Sequence, residues 1–405
     1  MKIVMVGPFG LAPRMTMRVR ALPLGQALVR RGHDVTLLLP PWQNPEDAGR
    51  RWDAEGVSVH NVELPHPLPG WFHARLTARM VRQIRQIAPD VLHVFKPKAY
   101  AGLVHYVLRR RYPVVVDTDD WEGPGGWNAR SDYPGWMKRF FTWQERWGLG
   151  HADAVTVASR ALQTLVWARG IRPDRVFYLP NGVNEPLPGP GRPAEGRPTM
   201  LLYTRFFEFD LDRLVRIVAG VRDRQPEARL IVVGAGFDGE EETLLAEARR
   251  AGWAVSETWP PDPEADLVYA GWGTAENLPL CFALADVAPY PFDDTLLNRT
   301  TCPRKLMDLQ AAGVPVVADA VGQISEAVES GRTGLLVPPG DERAFIEALL
   351  LLLESPQRCR AMGLTAQASI SRRYGWDRLS RTAEWAYQRG RSHFEGTREP
   401  SPPRT

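Results

Sequence analysis

The stretch Asn298–Gly322, NRTTCPRKLMDLQAAGVPVVADAVG, restricts the fold of this chain more than any other. A polar, cationic loop, an amphipathic helix, a Gly-Val-Pro turn and a buried strand follow one another within 25 residues. That order suits a doubly wound α/β domain, which holds an anionic ligand beside the carboxyl ends of its strands. Arg304 and Lys305 fall where the helix begins, so two cations and the first backbone N–H groups would face one pocket. Phosphate or diphosphate chemistry is the first expectation. The plainer alternative is an ordinary βα unit with solvated basic residues.

The rest of the chain sets the frame. With 405 residues it exceeds one ordinary core and predicts two domains. Its 44% apolar content is that of a soluble globular protein, and no run approaches the roughly 20 apolar residues of a membrane span. MKIVMVGPFG passes straight into a strand, without the apolar segment and cleavage site of a secretory signal. Cys281, Cys302 and Cys359 are too widely spaced for a metal-ligand pattern and read as reduced thiols, which points to a cytoplasmic protein. Residues 1–180 carry 25 Lys/Arg against 15 Asp/Glu, a balance of +10; residues 181–405 carry 25 against 32, a balance of −7. The basic half suits an anionic partner such as a lipid phosphate, a polyanion or the inner membrane face, at which the protein would sit peripherally.

Short apolar runs alternate with helical periods along the N-terminal half. Strands are expected at Lys2–Val6, Asp34–Leu39, Ser58–Val62, Val91–Phe95, Pro113–Asp117, Ala154–Ala158 and Val176–Leu179, with helices at Val19–Arg31 and Trp71–Ala88. Residues 181–198, dense in Gly and Pro, read as a linker. A second series follows over 199–375, with strands at Met200–Tyr203, Arg229–Val233, Val287–Tyr290 and Val314–Ala318. Its helices are expected at Asp212–Arg224, Glu240–Ala251, Glu342–Glu354 and Pro356–Arg373. A last helix at Trp376–Arg391 precedes a tail, 395–405, whose composition predicts disorder. Two such domains would place a ligand cleft between their carboxyl edges.

Four motifs carry candidate chemistry. Gly234-Ala-Gly-Phe-Asp-Gly239 fits a dinucleotide fingerprint, with Glu257 in the place of a ribose-binding acid. However, the following helix opens with Glu240, Glu241 and Glu242, which repel a pyrophosphate while suiting the helix dipole, so NAD binding is not favoured. Gly234 and Gly236 still offer a floor for close approach. Gly7-Pro-Phe-Gly10 ends the first strand, and Gly10 is a second such point. Asp117-Thr-Asp-Asp-Trp-Glu122 puts four carboxylates at the end of a buried strand, a costly arrangement unless they face water, a cation or a hydroxyl-rich ligand. Orienting sugar hydroxyls or capping helices is favoured there over binding a metal. Trp136–Trp147 mixes aromatic and basic residues at helical spacing. Resting on a membrane interface is one reading, but burial of Phe140, Trp143 and Trp147 in the core is expected.

Taken in order, several segments resemble those of GT-B glycosyltransferases, in particular the large family-four group of retaining enzymes. They are LGQALVRRGHDVTLL, PDVLHVF, HADAVTVASRALQ, LPNGVN, LIVVGAG, ENLPLCFALADVAPYPF, KLMDLQAAGVPVVA and SGRTGLLVPPGD. The resemblance implies two Rossmann-like domains. The N-terminal one binds a glycan or lipid-linked acceptor, the C-terminal one binds a nucleotide-sugar donor, and the last helix crosses back onto the first domain.

The resemblance also assigns residues. Arg205 matches an arginine that contacts the donor diphosphate. The lysine that usually follows is replaced within FFEFDLDR, which leaves Lys305 as its substitute, with Arg304 beside it. The family's Glu-x7-Glu signature falls on Thr300 and Asp308; Asp308 keeps a carboxylate for the ribose, whereas Thr300 keeps only a hydroxyl near the donor sugar. Asp119 stands where a histidine usually lies close to the sugar, with Asp120, Trp121 and Lys96 as acceptor-side candidates. Cations in place of Mg²⁺ imply catalysis without a metal or other cofactor, and no nucleic-acid partner is expected. The competing readings are a nucleotide-sugar-binding scaffold that has lost transfer activity and, less favoured, an NAD-dependent oxidoreductase.

Overall fold

The computed structural model describes residues 1–66, 71–184, 196–273 and 277–397. Most of the expected linker (185–195) and of the expected tail (398–405) lie outside the described residues. The chain forms two compact units. One comprises Met1–Gly182, Thr300–Cys302 and the chain from Trp376 onward; the other comprises Val183–Arg299 and Pro303–Gly375.

The first unit is built on eight strands: β1 Lys2–Val6, β2 Asp34–Leu39, β3 Arg51–Ala54, β4 Val57–Asn61, β5 Val91–Phe95, β6 Val114–Thr118, β7 Ala154–Val157 and β8 Val176–Tyr178. Their order is β3-β4-β2-β1-β5-β6-β7-β8, and every pairing is parallel except β3 with β4. Central runs such as VLHVF and VVVDT are buried throughout, as parallel strands covered on both faces must be. The chain builds outward from β1 in one direction and then restarts at β5, so the topological switch point lies between β1 and β5. The loops after β1, β5 and β6 therefore emerge side by side, where a doubly wound sheet holds its ligands.

The second unit contains β9 Thr199–Tyr203, β10 Arg229–Val233, β11 Val255–Ser256, β12 Leu267–Tyr269, β13 Ala288–Tyr290, β14 Val316–Asp319 and β15 Gly334–Val337. They form the parallel sets β11-β12-β10-β9 and β13-β14-β15. A parallel bridge between Met200 and Val287 joins the sets, with Leu201 N–H donating to Val287 O at 3.0 Å. The switch point here lies between β9 and β13. Two apolar clusters cover the faces of these sheets, one around Ile217, Leu230 and Phe345 and one around Ile231, Phe292 and Leu309.

Each unit locks a strand end with a buried bidentate Arg–Asp pair. Arg20 Nε and Nη2 donate to Asp117 at 2.8 and 2.7 Å, and both side chains are fully buried. Arg213 grips Asp319, the last residue of β14, at 2.9 and 2.7 Å. Arg20 sits on a π-helical turn, Met17–Ala21, which runs into helix Leu22–Arg30 where one continuous α-helix was expected. The final helix, Trp376–Gly396, runs past the expected end at Arg391 and takes in Glu395 and Gly396 of the expected tail. Its Tyr387 hydroxyl meets His93 Nδ1 at 2.9 Å, well inside the first unit.

Helix Gly135–Gly150 corrects an expectation. It buries Gln144, Glu145, Gly148 and Leu149, whereas Trp143 is 46% exposed and Phe140 and Trp147 are half-buried. The reason is backbone satisfaction. Gln144 Oε1 accepts from Ala99 N–H at 2.7 Å, its Nε2 donates to Ala99 O at 3.1 Å, and Glu145 Oε1 accepts from Glu122 N–H at 3.0 Å. Each of those loop groups would cost about 1–3 kcal/mol if left unmatched, and the inward polar face avoids this while Phe140 and Trp147 stay half-buried. The rings stack on one another outside, Phe140 on Trp143 at 5.9 Å.

Candidate active site

In the second unit a charged cluster grows from the carboxyl end of β9. Phe206 takes the left-handed backbone conformation (φ 63°), which bends the Thr204–Phe209 segment back on itself. Glu208, only 5% exposed, is thereby brought beneath the strand end, where its Oε2 accepts from Thr204 Oγ1 at 3.1 Å and Arg205 N–H at 3.2 Å. Lys305, in the first turn of helix Arg304–Ala311, reaches across to Glu208 Oε1 at 3.0 Å. Glu208 thus joins the Lys305 ammonium to the Arg205 backbone at the switch point.

The Arg205 side chain donates from Nε to Ala235 O at 3.0 Å and lies over the rings of Phe237 (4.3 Å) and Trp272 (4.8 Å). Burial draws its pKa down, against Glu208, Glu240 and Glu241, but it remains a cation. Arg304 Nε donates to Asp308 Oδ1 at 2.7 Å, one helical turn on. Burial raises the Asp308 carboxyl pKa, with Arg304 and Lys305 opposing the shift. Arg304 and Asp308, read separately as diphosphate and ribose contacts, are therefore ion-paired to each other. Thr300 belongs instead to the first unit, where it is fully buried and its carbonyl accepts from Ser159 Oγ at 2.7 Å.

The glycine loop after β10 is occupied from within. Gly236 N–H donates to Glu241 Oε2 and Asp238 N–H donates to Glu240 Oε2, both at 2.8 Å. The helix's own carboxylates hold the amides that a pyrophosphate would need, which physically disfavours the dinucleotide fingerprint. Gly234 has a φ of 123°, and a Cβ there would lie 1.9 Å from Thr204 O. Only glycine permits β10 to pass so close to the Arg205 loop.

In the first unit the four carboxylates of 117–122 divide. Asp117 belongs to Arg20 and also accepts from Thr156 Oγ1 at 2.6 Å. The other three surround two lysines from the loop after β5. Lys96 Nζ lies 2.6 Å from Asp120, 3.1 Å from Asp119 and 3.6 Å from Glu122, and Lys98 Nζ lies 2.7 Å from Glu122. Lys96 and Ala99 both have positive φ (49° and 48°), so the loop between them is tightly coiled. Burial opposes the charge on Lys96, but the three carboxylates outweigh it and hold its pKa well above the usual lysine range. Burial pushes Asp119 up to about 6 against the pull of Lys96, with Asp120 and Asp117 adding repulsion. Burial acts on Asp120 too, but Lys96 keeps its pKa below the usual value.

Trp121 is buried beneath the Arg169 guanidinium (4.5 Å) and donates from Nε1 to Pro124 O at 2.8 Å, so it braces the acidic loop. Gly10 is also buried; a Cβ there would meet Asn44 Oδ1 at 2.7 Å. Among the described residues no group of three or more His, Cys, Asp or Glu side chains is arranged to hold a metal ion, and no helix is long and apolar enough to cross a membrane. All three cysteines are buried, and none forms a disulfide. Sequence reasoning passed over Glu208 and Arg20. Glu208 lies within FFEFDLDR, where the resemblance marks only a missing lysine, and Arg20 lies within the expected helix Val19–Arg31 with no motif of its own.

Residues 16–182 match the glycosyl transferase 4-like domain, and residues 197–355 match glycosyl transferases group 1. A GDP-mannose-dependent alpha-(1-6)-phosphatidylinositol monomannoside mannosyltransferase of Mycobacterium tuberculosis is 30% identical over 88% of this chain and 90% of its own length. A GDP-mannose-dependent alpha-mannosyltransferase of the same species is 27% identical over 85% of each chain. Among solved structures, sucrose-phosphate synthase from Thermosynechococcus elongatus aligns over 96% of this chain and 98% of its own, with a TM-score of 0.66 at 19% identity. HepE of Anabaena, solved with UDP and glucose, aligns over 95% and 98% with a TM-score of 0.66 at 17% identity. The chain belongs to the glycosyltransferases of GT-B fold, with a 4-like first domain and a group 1 second domain. It is a glycosyltransferase that uses a nucleotide-sugar donor.

Proposed function

We propose that this enzyme transfers a mannosyl group from GDP-mannose, with retention of configuration, to a glycan or lipid-linked acceptor. The donor binds in residues 199–375 and the acceptor in residues 1–180. The observation that carries this reading is the cluster at the end of β9, where Lys305 pairs with Glu208, Glu208 accepts from the Arg205 backbone N–H, and the Arg205 guanidinium lies over Phe237 and Trp272. Relatives that use GDP-mannose and align over most of both chains support the choice of donor.

As the sugar leaves, negative charge grows on the departing diphosphate. Arg205 and Lys305 neutralise it, with Lys305 exchanging Glu208 for phosphate oxygen. The rings of Phe237 and Trp272 hold the Arg205 guanidinium in one orientation before the donor arrives. The departing phosphate takes the acceptor proton on the same face, so no protein base is required, and the two cations act where other transferases use a divalent metal. Asp308 accepts the ribose hydroxyls once Arg304 turns towards phosphate. Asp119, with Asp120 and Lys96, orients acceptor hydroxyls; Gly10 offers close approach of the backbone, as do Gly234 and Gly236 once a donor oxygen displaces Glu241 from the Gly236 N–H. Contact with an anionic membrane face is part of the same proposal, supported by the exposed aromatic face of helix Gly135–Gly150.

A panel of GDP-mannose, UDP-glucose, UDP-N-acetylglucosamine and ADP-glucose, read by thermal shift and donor hydrolysis, tests the reading. GDP-mannose should stabilise the protein most and be turned over. Stabilisation by another nucleotide sugar alone would overturn the donor assignment. The second reading, a binding scaffold, rests on the ion pairs that already occupy Lys305 and Arg304 and on the buried Thr300; binding without turnover across acceptors would establish it.

A further inference from the structure

A cavity of about 390 Å³ opens within the first unit beside the acidic loop, and its walls are almost entirely aromatic and aliphatic. Pro8 and Phe9 of the loop after β1 form one side, and Leu103, Met137, Phe140 and Phe141 form another. The polar groups around it already have partners. Tyr100 OH meets His73 Nδ1 at 2.7 Å, Tyr133 OH accepts from Arg14 Nη2 at 3.2 Å, and the Trp42 indole N–H donates to Pro8 O at 2.9 Å. Ring faces and methyl groups are left towards the interior.

Such a lining disfavours a sugar, whose hydroxyls would lose water without gaining partners, and favours hydrocarbon. Two cations complete the wall: Arg14 and Lys98. Lys98 lies 5.8 Å from the Phe141 ring centroid and shares Glu122 with Lys96, so this edge of the cavity borders the cluster that includes Asp119 and Asp120. Hydrocarbon in the cavity therefore positions an attached anionic group beside the acceptor-side carboxylates and lysines.

We infer that this cavity holds the hydrocarbon chain of an anionic lipid acceptor, with Arg14 and Lys98 receiving its phosphate. The inference rests on the transferase reading and narrows its acceptor to the lipid-linked class. It also explains why a helix that exposes Trp136 and Trp143 lies here: Trp136 and Met137 line the cavity from that helix, so a chain leaving a bilayer would meet rings rather than water.

The test uses full-length protein and water-soluble monomeric probes, measured by calorimetry: n-octyl phosphate, n-butyl phosphate and n-octyl glucoside. Octyl phosphate should bind at least about tenfold more tightly than either comparator, because four further methylenes become buried and a charge is matched. Leu103→Trp and Met137→Trp, each filling the cavity from a different helix, should reduce octyl phosphate to the level of butyl phosphate while thermal unfolding stays near that of the parent. Arg14→Ala should weaken both phosphates and preserve the chain preference. Equal binding of the octyl and butyl phosphates would overturn the inference. So would octyl phosphate binding unaffected by both tryptophans, or binding only to phosphatidylglycerol vesicles that both tryptophans leave unchanged; the latter would make this a membrane-resting face. GDP-mannose binding, measured in the same samples, separates the outcomes. Its absence with octyl phosphate binding intact would sink the donor reading and leave the cavity assignment standing.

Discussion

Replacing Arg20 by Met should destabilise the first unit more than any exposed charge substitution, because it strands a buried carboxylate. Arg20 and Asp117 are both wholly buried, joined by two hydrogen bonds of 2.8 and 2.7 Å. Arg20 also donates to Leu179 O at 2.8 Å and Asn181 Oδ1 at 3.1 Å, so one guanidinium ties together the end of β6 and the segment that follows β8. Removing one partner of such a pair costs about 3–5 kcal/mol, since the remaining charge has neither water nor a counter-ion. For a unit of this size that corresponds to a drop in Tm of roughly 6–20 °C. Arg20→Met and Asp117→Asn should each reach this range in thermal and urea unfolding. The double substitution should cost about 2 kcal/mol or more less than the sum of the singles, because it leaves no unpaired charge. Burial alone would raise the Asp117 pKa, but Arg20 outweighs it and holds the value below normal, so the native state favours the carboxylate. This contribution is present above the unfolded pKa of about 3.9 and is lost as pH falls through the lower folded value. Single substitutions costing less than about 1 kcal/mol, or strict additivity in the double, would show that no buried charge is left stranded.

Two further outcomes follow from the sites. The Asp119 pKa is raised to about 6, so kcat/KM should decline as pH falls through that value if its carboxylate orients substrate hydroxyls; Asp119→Asn should lower activity and abolish that limb, and an unchanged limb would assign the titration to another group. Gly234→Ala should cost at least about 2 kcal/mol, because its Cβ would strike backbone at 1.9 Å, whereas Gly236→Ala meets only the movable ends of Glu240 and Glu241 and should cost less than about 1 kcal/mol; equal effects in chemical unfolding would contradict this.

The α/β architecture was legible because parallel strands buried on both faces announce themselves as apolar runs. VLHVF and RLIVV lie at their expected bounds. Short strands such as Arg51–Ala54 and Val255–Ser256 carry no such signal, since edge position and brevity remove it. Helix Gly135–Gly150 misled for a specific reason: hydrophobicity suggests an inward aromatic face, but the backbone demands of two neighbouring loops placed Gln144 and Glu145 inside. Similarly, the sequence marks Arg304, Lys305 and Asp308 as one charged group but does not say which carboxylate each cation holds. Glu208 decides that, and it depends on the turn made at Phe206.

In the proposed mechanism Arg205 and Lys305 stabilise the diphosphate as it departs. Single-turnover transfer from GDP-mannose by Arg205→Ala and Lys305→Ala, alongside GDP affinity, tests it most directly. Each variant should lose about two to three orders of magnitude in the chemical step, well beyond its loss of GDP affinity, because the charge they answer is greatest in the transition state. Transfer at near-parental rates in both, or losses accounted for by weaker GDP binding alone, would contradict the claim.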